Sequence, residues 1–218
     1  DKGRKLAGHV LEAAEADIEY ADGSFSVAGT DRTVSIFDLA EQAKSMGALP
    51  DGVPISLDSE EDFVSPEQTY PNGCHICEIE IEPETGVVDV LNYVAVDDCG
   101  TVINPMIVHG QVHGGVAQGL GQVLGEHAIY DDDGQLLAGS FMDYMMPRAD
   151  DMPGMKLGFH SVPCTTNPVG AKGAGEAGTT GALAAGMNAI IDALSTRGIT
   201  EMDMPATPPR IWAVLNRD

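Results

Sequence analysis

Hydrophobic and polar positions divide this chain into short segments of two alternating periods. Residues 1 to 17 carry Leu6, Val10, Leu11 and Ala14 on one face with charges opposite, a spacing that predicts a helix. Residues 18–20 and 24–27 alternate apolar with polar around Asp22-Gly23, a two-residue hairpin signal. Residues 33–46 hold a second helix, with Ser35 as its N-cap and Gly47 as its stop. Prolines, acids and turn residues then dominate from 48 to 72, as a surface excursion or a linker between subdomains.

The clearest strand signal follows, over 74–81 and 87–96, joined by Glu82-Pro-Glu-Thr-Gly86 as a hairpin loop. Asn104-Pro105 opens a predicted helix over 106–127 that carries Gly110, Gly114, Gly115, Gly119, Gly121 and Gly125. Each glycine inside a helix costs about 1 kcal/mol relative to alanine, so close approach outweighs helix stability here. Gln111, Gly115, Gln118 and Gln122 share one helical face, while Val112, Val116, Leu120 and Val123 lie elsewhere. Such a face suits a buried polar ligand, or tight helix–sheet packing with amides at the rim. Both readings stand at this point. Residues 135–138 and 156–162 read as strands, and 141–147 as apolar, irregular core or gap-filling beside a cavity. Helices are predicted over 182–194 and, with prolines at its start, over 208–215. The fold class is therefore α+β, mixed sheets with packed helices, with possible subdomains 1–70 and 71–218.

Between the last strand and the 182–194 helix lies Thr166-Asn-Pro-Val-Gly-Ala-Lys-Gly-Ala-Gly-Glu176-Ala-Gly-Thr-Thr-Gly181. Residues without bulk surround one carboxylate and let a backbone come close to something. Glu176 has two readings: a first-turn acid favoured by the helix dipole, or a general base held against a ligand that the glycines admit.

Charge narrows the partners. The chain has 34 acidic against 11 basic residues, a net charge of −23 in 218 residues. That field repels nucleic acid and anionic membrane, and much of it is solvated surface. No apolar run approaches the ~20 residues that span a bilayer. The chain begins inside a helical pattern without Met, so its start is not read as the start of the gene. Four irregularly spaced cysteines read as reduced thiols of a cytoplasmic protein.

Three motifs lose weight on inspection. Gly173-x-Gly175-x-x-Gly178 matches the dinucleotide fingerprint, but Pro163 and Pro168 interrupt the strand that should precede it. Glu176 would also face the pyrophosphate, and some forty residues are too few for the rest of that fold. His109 and His113 stand at i, i+4 without the metalloprotease Glu or an obvious third ligand, and read as structural. Cys74-His-Ile-Cys77 lies in a strand, where residues three apart point to opposite faces and cannot converge on a metal.

Three segments together carry a family resemblance. They are Val96-Asp-Asp-Cys-Gly-Thr-Val-Ile-Asn-Pro-Met-Ile-Val-His-Gly-Gln-Val-His-Gly-Gly-Val-Ala-Gln-Gly-Leu-Gly121, Gly139-Ser-Phe-Met-Asp-Tyr-Met-Met-Pro-Arg148, and residues 166–181. In that order they resemble the molybdenum-binding large subunit of the xanthine dehydrogenase and aldehyde oxidase family, above all its carbon monoxide dehydrogenase large-chain branch. The resemblance implies an oxidoreductase that holds molybdenum on molybdopterin, as the cytosine dinucleotide. It implies a catalytic Glu, matched by Glu176 in Gly175-Glu176, that takes up a proton as an electrophilic carbon is hydroxylated. It places Gln111 beside the cofactor, with Gly110, Lys172, Gly173 and Gly175 lining it. Electrons would leave through FAD and [2Fe-2S] on partner subunits or domains.

Family large subunits are several times longer, so the resemblance makes this chain the C-terminal portion of the cofactor-binding domain, inactive alone and completed by an N-terminal remainder. Carbon monoxide oxidation in the family depends on an upstream cysteine-bearing loop, and the Ser-Pro expected after the Glu is here Ala177-Gly178. The expected substrate is thus an aldehyde, heterocycle or related small molecule. The rival reading is a non-catalytic binding or assembly module that kept the fold and lost the cofactor. Intact Glu176 and Gln111 argue against that decay.

Overall fold

The structure is a computed structural model that describes residues 1–217. The chain divides into two compact units, Asp1–Val64 and Ser65–Asp218, and the division falls inside the irregular stretch after residue 48.

In the first unit, helix α1 (Lys2–Val10) and helix α2 (Ile36–Ser45) accompany an antiparallel sheet of β1 (Ile18–Ala21), β2 (Ser24–Val27) and β3 (Thr33–Ser35). Its core is Leu6, Ile18, Phe25, Val34 and Leu39. Asp22 and Gly23 both take positive φ (47° and 79°), the two-residue turn that matches strand twist. One boundary differs from the sequence reading. Helix α1 stops at Val10 because Glu12 adopts φ 50° and the Ala13 N–H returns to the Gly8 carbonyl at 2.9 Å. This closure usually recruits glycine, so the sequence carries no sign of it. Residues 33–35, up to the predicted cap, pair with β2. The helix begins after Ser35, whose Oγ accepts from the Asp38 N–H at 3.0 Å.

The second unit centres on β4 (Asn72–Ile81) and β5 (Val88–Asp98), an antiparallel hairpin to which β6 (Met155–Phe159) adds in parallel along β5. A bulge leaves Leu91 unpaired between the Glu78–Asn92 and Ile79–Val90 pairs. One extra residue reverses the parity of β5. Val88 and Val90 therefore share the inner face with Tyr93, Ala95 and Asp97. Helix α3 (Pro105–Leu124) packs against helix α4 (Ala177–Ser195), which also covers β4. Asn104 caps α3 by accepting the Ile107 N–H at 3.3 Å. Helix α5 (Pro208–Leu215) closes a second core of Val123, Ile190, Leu194 and Ile211.

The predicted strand over 135–138 is a single isolated bridge, Tyr130 to Leu136. Phe141 and Met142 are exposed rather than core, although Met145 packs on Gly125.

Candidate functional site

The β4–β5 register sets the inner wall of the site. His75 pairs with Ala95, so Tyr93 and Asp97 lie diagonally on either side of it. The small Ala95 leaves room for the imidazole to reach both. Its Nδ1 lies 2.7 Å from the Tyr93 hydroxyl and its Nε2 3.1 Å from Asp97 Oδ1. A neutral ring satisfies both contacts, accepting from the phenol and donating to the carboxylate. Burial holds the Tyr93 phenol well above its usual range, so it remains a donor. Two glycines make space for this chain: a Cβ on Gly73 would strike Asp97 Oδ1, and one on Gly181 of α4 would enter the His75 ring.

At the end of β5 the glycine-rich loop is tied down. The Lys172 N–H donates to the Cys99 carbonyl at 2.9 Å, and the Thr101 N–H to Gly170 at 2.8 Å. Asn167 clamps Ala171 from both sides at 2.9 and 3.2 Å. Asp98 joins the two segments: Oδ1 accepts from the Gly100 and Val162 N–H groups, each at 2.9 Å, and Oδ2 from Lys172 Nζ at 2.5 Å. The ammonium, then the amides, hold the Asp98 carboxyl down at about 2.

From that anchor the chain runs through exposed Gly173 and Gly175 into Glu176, the residue immediately before α4. The Glu176 carboxylate is exposed and has no partner among the described residues. Beside it, a Cβ on Gly175 would come 3.7 Å from Gln111 Oε1. Gln111 is exposed on α3, flanked by Gly110 and Gly114, which face open space. The structure thus brings Glu176, Gly175 and Gln111 to one surface, with Gly110 and Gly173 at its margins. Lys172 stands apart, its charge engaged by Asp98. The amide face of α3 divides. Gly115 and Gly119 are pressed against α4, and Gln118 accepts from the Thr179 hydroxyl at 3.1 Å.

The discounted motifs have structural work. His113 Nδ1 donates to the His109 carbonyl at 2.8 Å, and the His109 ring stands edge-on to Phe159 with centroids 4.9 Å apart. Cys74 is exposed while Cys77 faces inward, where burial pushes its thiol up to about 11, away from the thiolate a metal would need. What the motif reading passed over lies between those cysteines. Spacing draws His75 only into a cysteine clamp, and it gives Asp97 no motif. The alternation of residues 74–81 opposite 87–97 was the signal, since it sets both on the inner face once the register is known. His75, Asp97, Gly73, Glu176, Thr180 and Gly181 share the wall of a cavity of about 280 Å³.

The family model of the molybdopterin cofactor-binding domain matches residues 1–153. This chain belongs to that family. The nicotine 6-hydroxylase large subunit of Paenarthrobacter nicotinovorans is 38% identical over 208 residues, covering 94% of this chain and 26% of the relative. The solved Cu,Mo-CO dehydrogenase superposes with a TM-score of 0.91 at 34% identity, over 98% of this chain and 27% of that one. Quinoline 2-oxidoreductase from Pseudomonas putida 86 gives 0.89 at 37%, over 99% and 28%. These relatives are molybdenum oxidoreductases, and the α+β arrangement is that of their cofactor-binding domains. The chain spans about a quarter of the length of the relatives it matches.

The surface suits a molybdopterin. Gly110 and Gly114 carry no side chain and meet nothing, and the Gln111 amide has no hydrogen-bond partner among the described residues. Unpaired amide donors and acceptors beside bare backbone match a flat, polar ring system approached at close range. No helix among the described residues is long and apolar enough to cross a membrane.

Proposed function

We propose that this chain forms one wall of the cofactor site in a molybdenum hydroxylase large subunit and supplies its general base, Glu176. The observation that carries this reading is the unpartnered Glu176 carboxylate at the start of α4, on the same surface as Gln111 and the open glycines. When bound, the molybdenum cofactor supplies oxygen-transfer and two-electron redox chemistry. The Gln111 amide would read its polar edge. The backbone of Gly110, Gly173 and Gly175 admits it closely, and Lys172 contributes by fixing the loop through Asp98. Glu176 takes up a proton at a carboxylate oxygen, in reach of the bound substrate.

The cofactor in this reading is the cytosine dinucleotide form. Partner subunits or domains carrying FAD and [2Fe-2S] remove the electrons, and an N-terminal remainder completes the subunit in the cytoplasm. The substrate is an aldehyde, a heterocycle or a related small molecule. Quinoline and nicotine in the relatives' names favour a heterocyclic carbon.

The test is Glu176→Gln in the full-length holoenzyme. Loss of a positioned base lowers turnover by about 10²–10⁴-fold, with molybdenum and pterin content unchanged by elemental and cofactor analysis. Full activity in that variant removes the base assignment.

A further inference from the structure

Asp97 is only 2% exposed, and its Oδ2 has no hydrogen-bond partner among the described residues. Oδ1 is already engaged by His75, whose other nitrogen is engaged by Tyr93. A buried carboxylate oxygen left bare is costly, so such atoms are met by a donor, commonly ordered water. The space beside Asp97 allows it. The cavity of about 280 Å³ that Asp97 lines with Glu176 could hold several molecules at about 30 Å³ each. It is polar on the side of Asp97, His75 and Glu176, as a water site requires. A metal does not fit, because no group of three His, Cys, Asp or Glu side chains converges among the described residues. The cavity continues past Gly73 and Asn72, at the start of β4, to Pro71 and Tyr70 ahead of it.

We propose that this cavity is a water-filled proton passage in which Asp97, held by His75 and Tyr93, takes the proton that Glu176 collects in each turnover. The inference rests on the reading of Glu176 as base. The transfer moves protons only. The Glu176 carboxylic acid gives its proton to a cavity water, which passes one to Asp97 Oδ2. The His75 Nε2–H stays on Oδ1 throughout. The proton then leaves Asp97 by water toward the Tyr70–Gly73 side, and both carboxylates return to their starting state. Asp97 and His75 act through Glu176 and touch no substrate. Gly73 and Gly181 are glycines because side chains there would displace the carboxylate and the ring.

Two measurements on the full-length holoenzyme test this. A crystal structure that resolves waters is expected to show one bonded to Asp97 Oδ2 and continuing to Glu176, whatever the enzyme's activity. A dry cavity, or one filled by side chains of the remainder of the subunit, overturns the passage. Kinetically, Asp97→Asn keeps shape and the His75 contact but cannot carry a proton. It is expected to lose at least about tenfold in turnover at unchanged molybdenum content, in the lower range of general acid–base effects. In Asp97→Ala, formate is expected to restore turnover, whereas nitrate, of the same shape and charge but without basicity, is not. Rescue by both anions or by neither marks a packing or charge role and overturns the relay. If Asp97→Ala does not fold, Asp97→Asn decides alone, and its full speed overturns the relay. Glu176→Gln is run beside them: an active Glu176→Gln removes the base reading itself. An inactive Glu176→Gln with a fast Asp97→Asn removes the passage only.

Discussion

Helix α3 carries two sets of glycines that the sequence does not separate. Gly115 and Gly119 lie against α4, where an added Cβ would come 2.8 Å from the Thr179 nitrogen or 2.7 Å from the Ala182 Cβ. An added Cβ on Gly110 or Gly114, one turn earlier, would meet nothing within 4 Å among the described residues. The first set buys contact between two helices. The second leaves a surface bare beside Gln111 and Glu176. The same residue thus has opposite thermodynamic consequences along one helix, structural where the partner is backbone and dispensable to folding where it is open space.

The comparison breaks most sharply at Gly178. A Cβ there would meet the Val112 carbonyl and come 2.8 Å from the Val116 nitrogen, and helix backbone cannot give way as a flexible side chain does. Gly178→Ala is expected to force α3 and α4 apart and destabilise the full-length chain by about 3 kcal/mol, the upper range for overpacking. The check is the shift in urea midpoint. A shift under about 1 kcal/mol would show that the helices accommodate the methyl and that the contact is looser than drawn.

Gly110→Ala tests the other set, with a smaller effect of opposite sign. Its helix gains about 0.5–1 kcal/mol because alanine loses less entropy than glycine. The apo protein should therefore melt higher, while molybdopterin retention on dilution falls if this face receives the cofactor. Higher melting with full retention would place the cofactor elsewhere. Lower melting would mean that the face is packed in the intact subunit.

The strands and helices that position the site were legible because their periods are local. The 74–81 and 87–96 hairpin, the N-cap at Ser35 and the glycine helix all follow from spacing and capping. Glu176 stood out for a similar reason, a lone acid among glycines before a helix. The wall behind it did not stand out. His75 lies about twenty residues of strand and loop before Tyr93 and Asp97 and meets them only through a register that a bulge at Leu91 offsets. The periodicity carries α1 past its true end because no glycine marks the positive φ at Glu12. The glycines of α3 stand out in the sequence, yet their division into packed and open depends on the position of α4.

A third device fixes the loop between these surfaces, and it yields the smallest effect. Asp98 receives the Lys172 ammonium and two backbone N–H groups, which hold its folded-state pKa at about 2. An unfolded aspartate titrates near 3.9. The folded value is the lower, so the group adds stability above about pH 4, and that stability drains away as pH falls toward 2. Lys172→Met removes the largest contributor and leaves the two amides. At neutral pH the cost should be about 1 kcal/mol, because a partly exposed pair is screened by solvent. The difference between wild type and variant in urea midpoint should begin to shrink as pH drops below 5 and go on shrinking through about 2, as Asp98 becomes protonated in wild type as well as in the variant. A difference that stayed constant across that range would assign the role of Lys172 to the packing of its alkyl chain rather than its charge. Gly173 and Gly175 would then owe their placement to the Asn167–Ala171 clamp and the Cys99 and Gly170 backbone contacts alone.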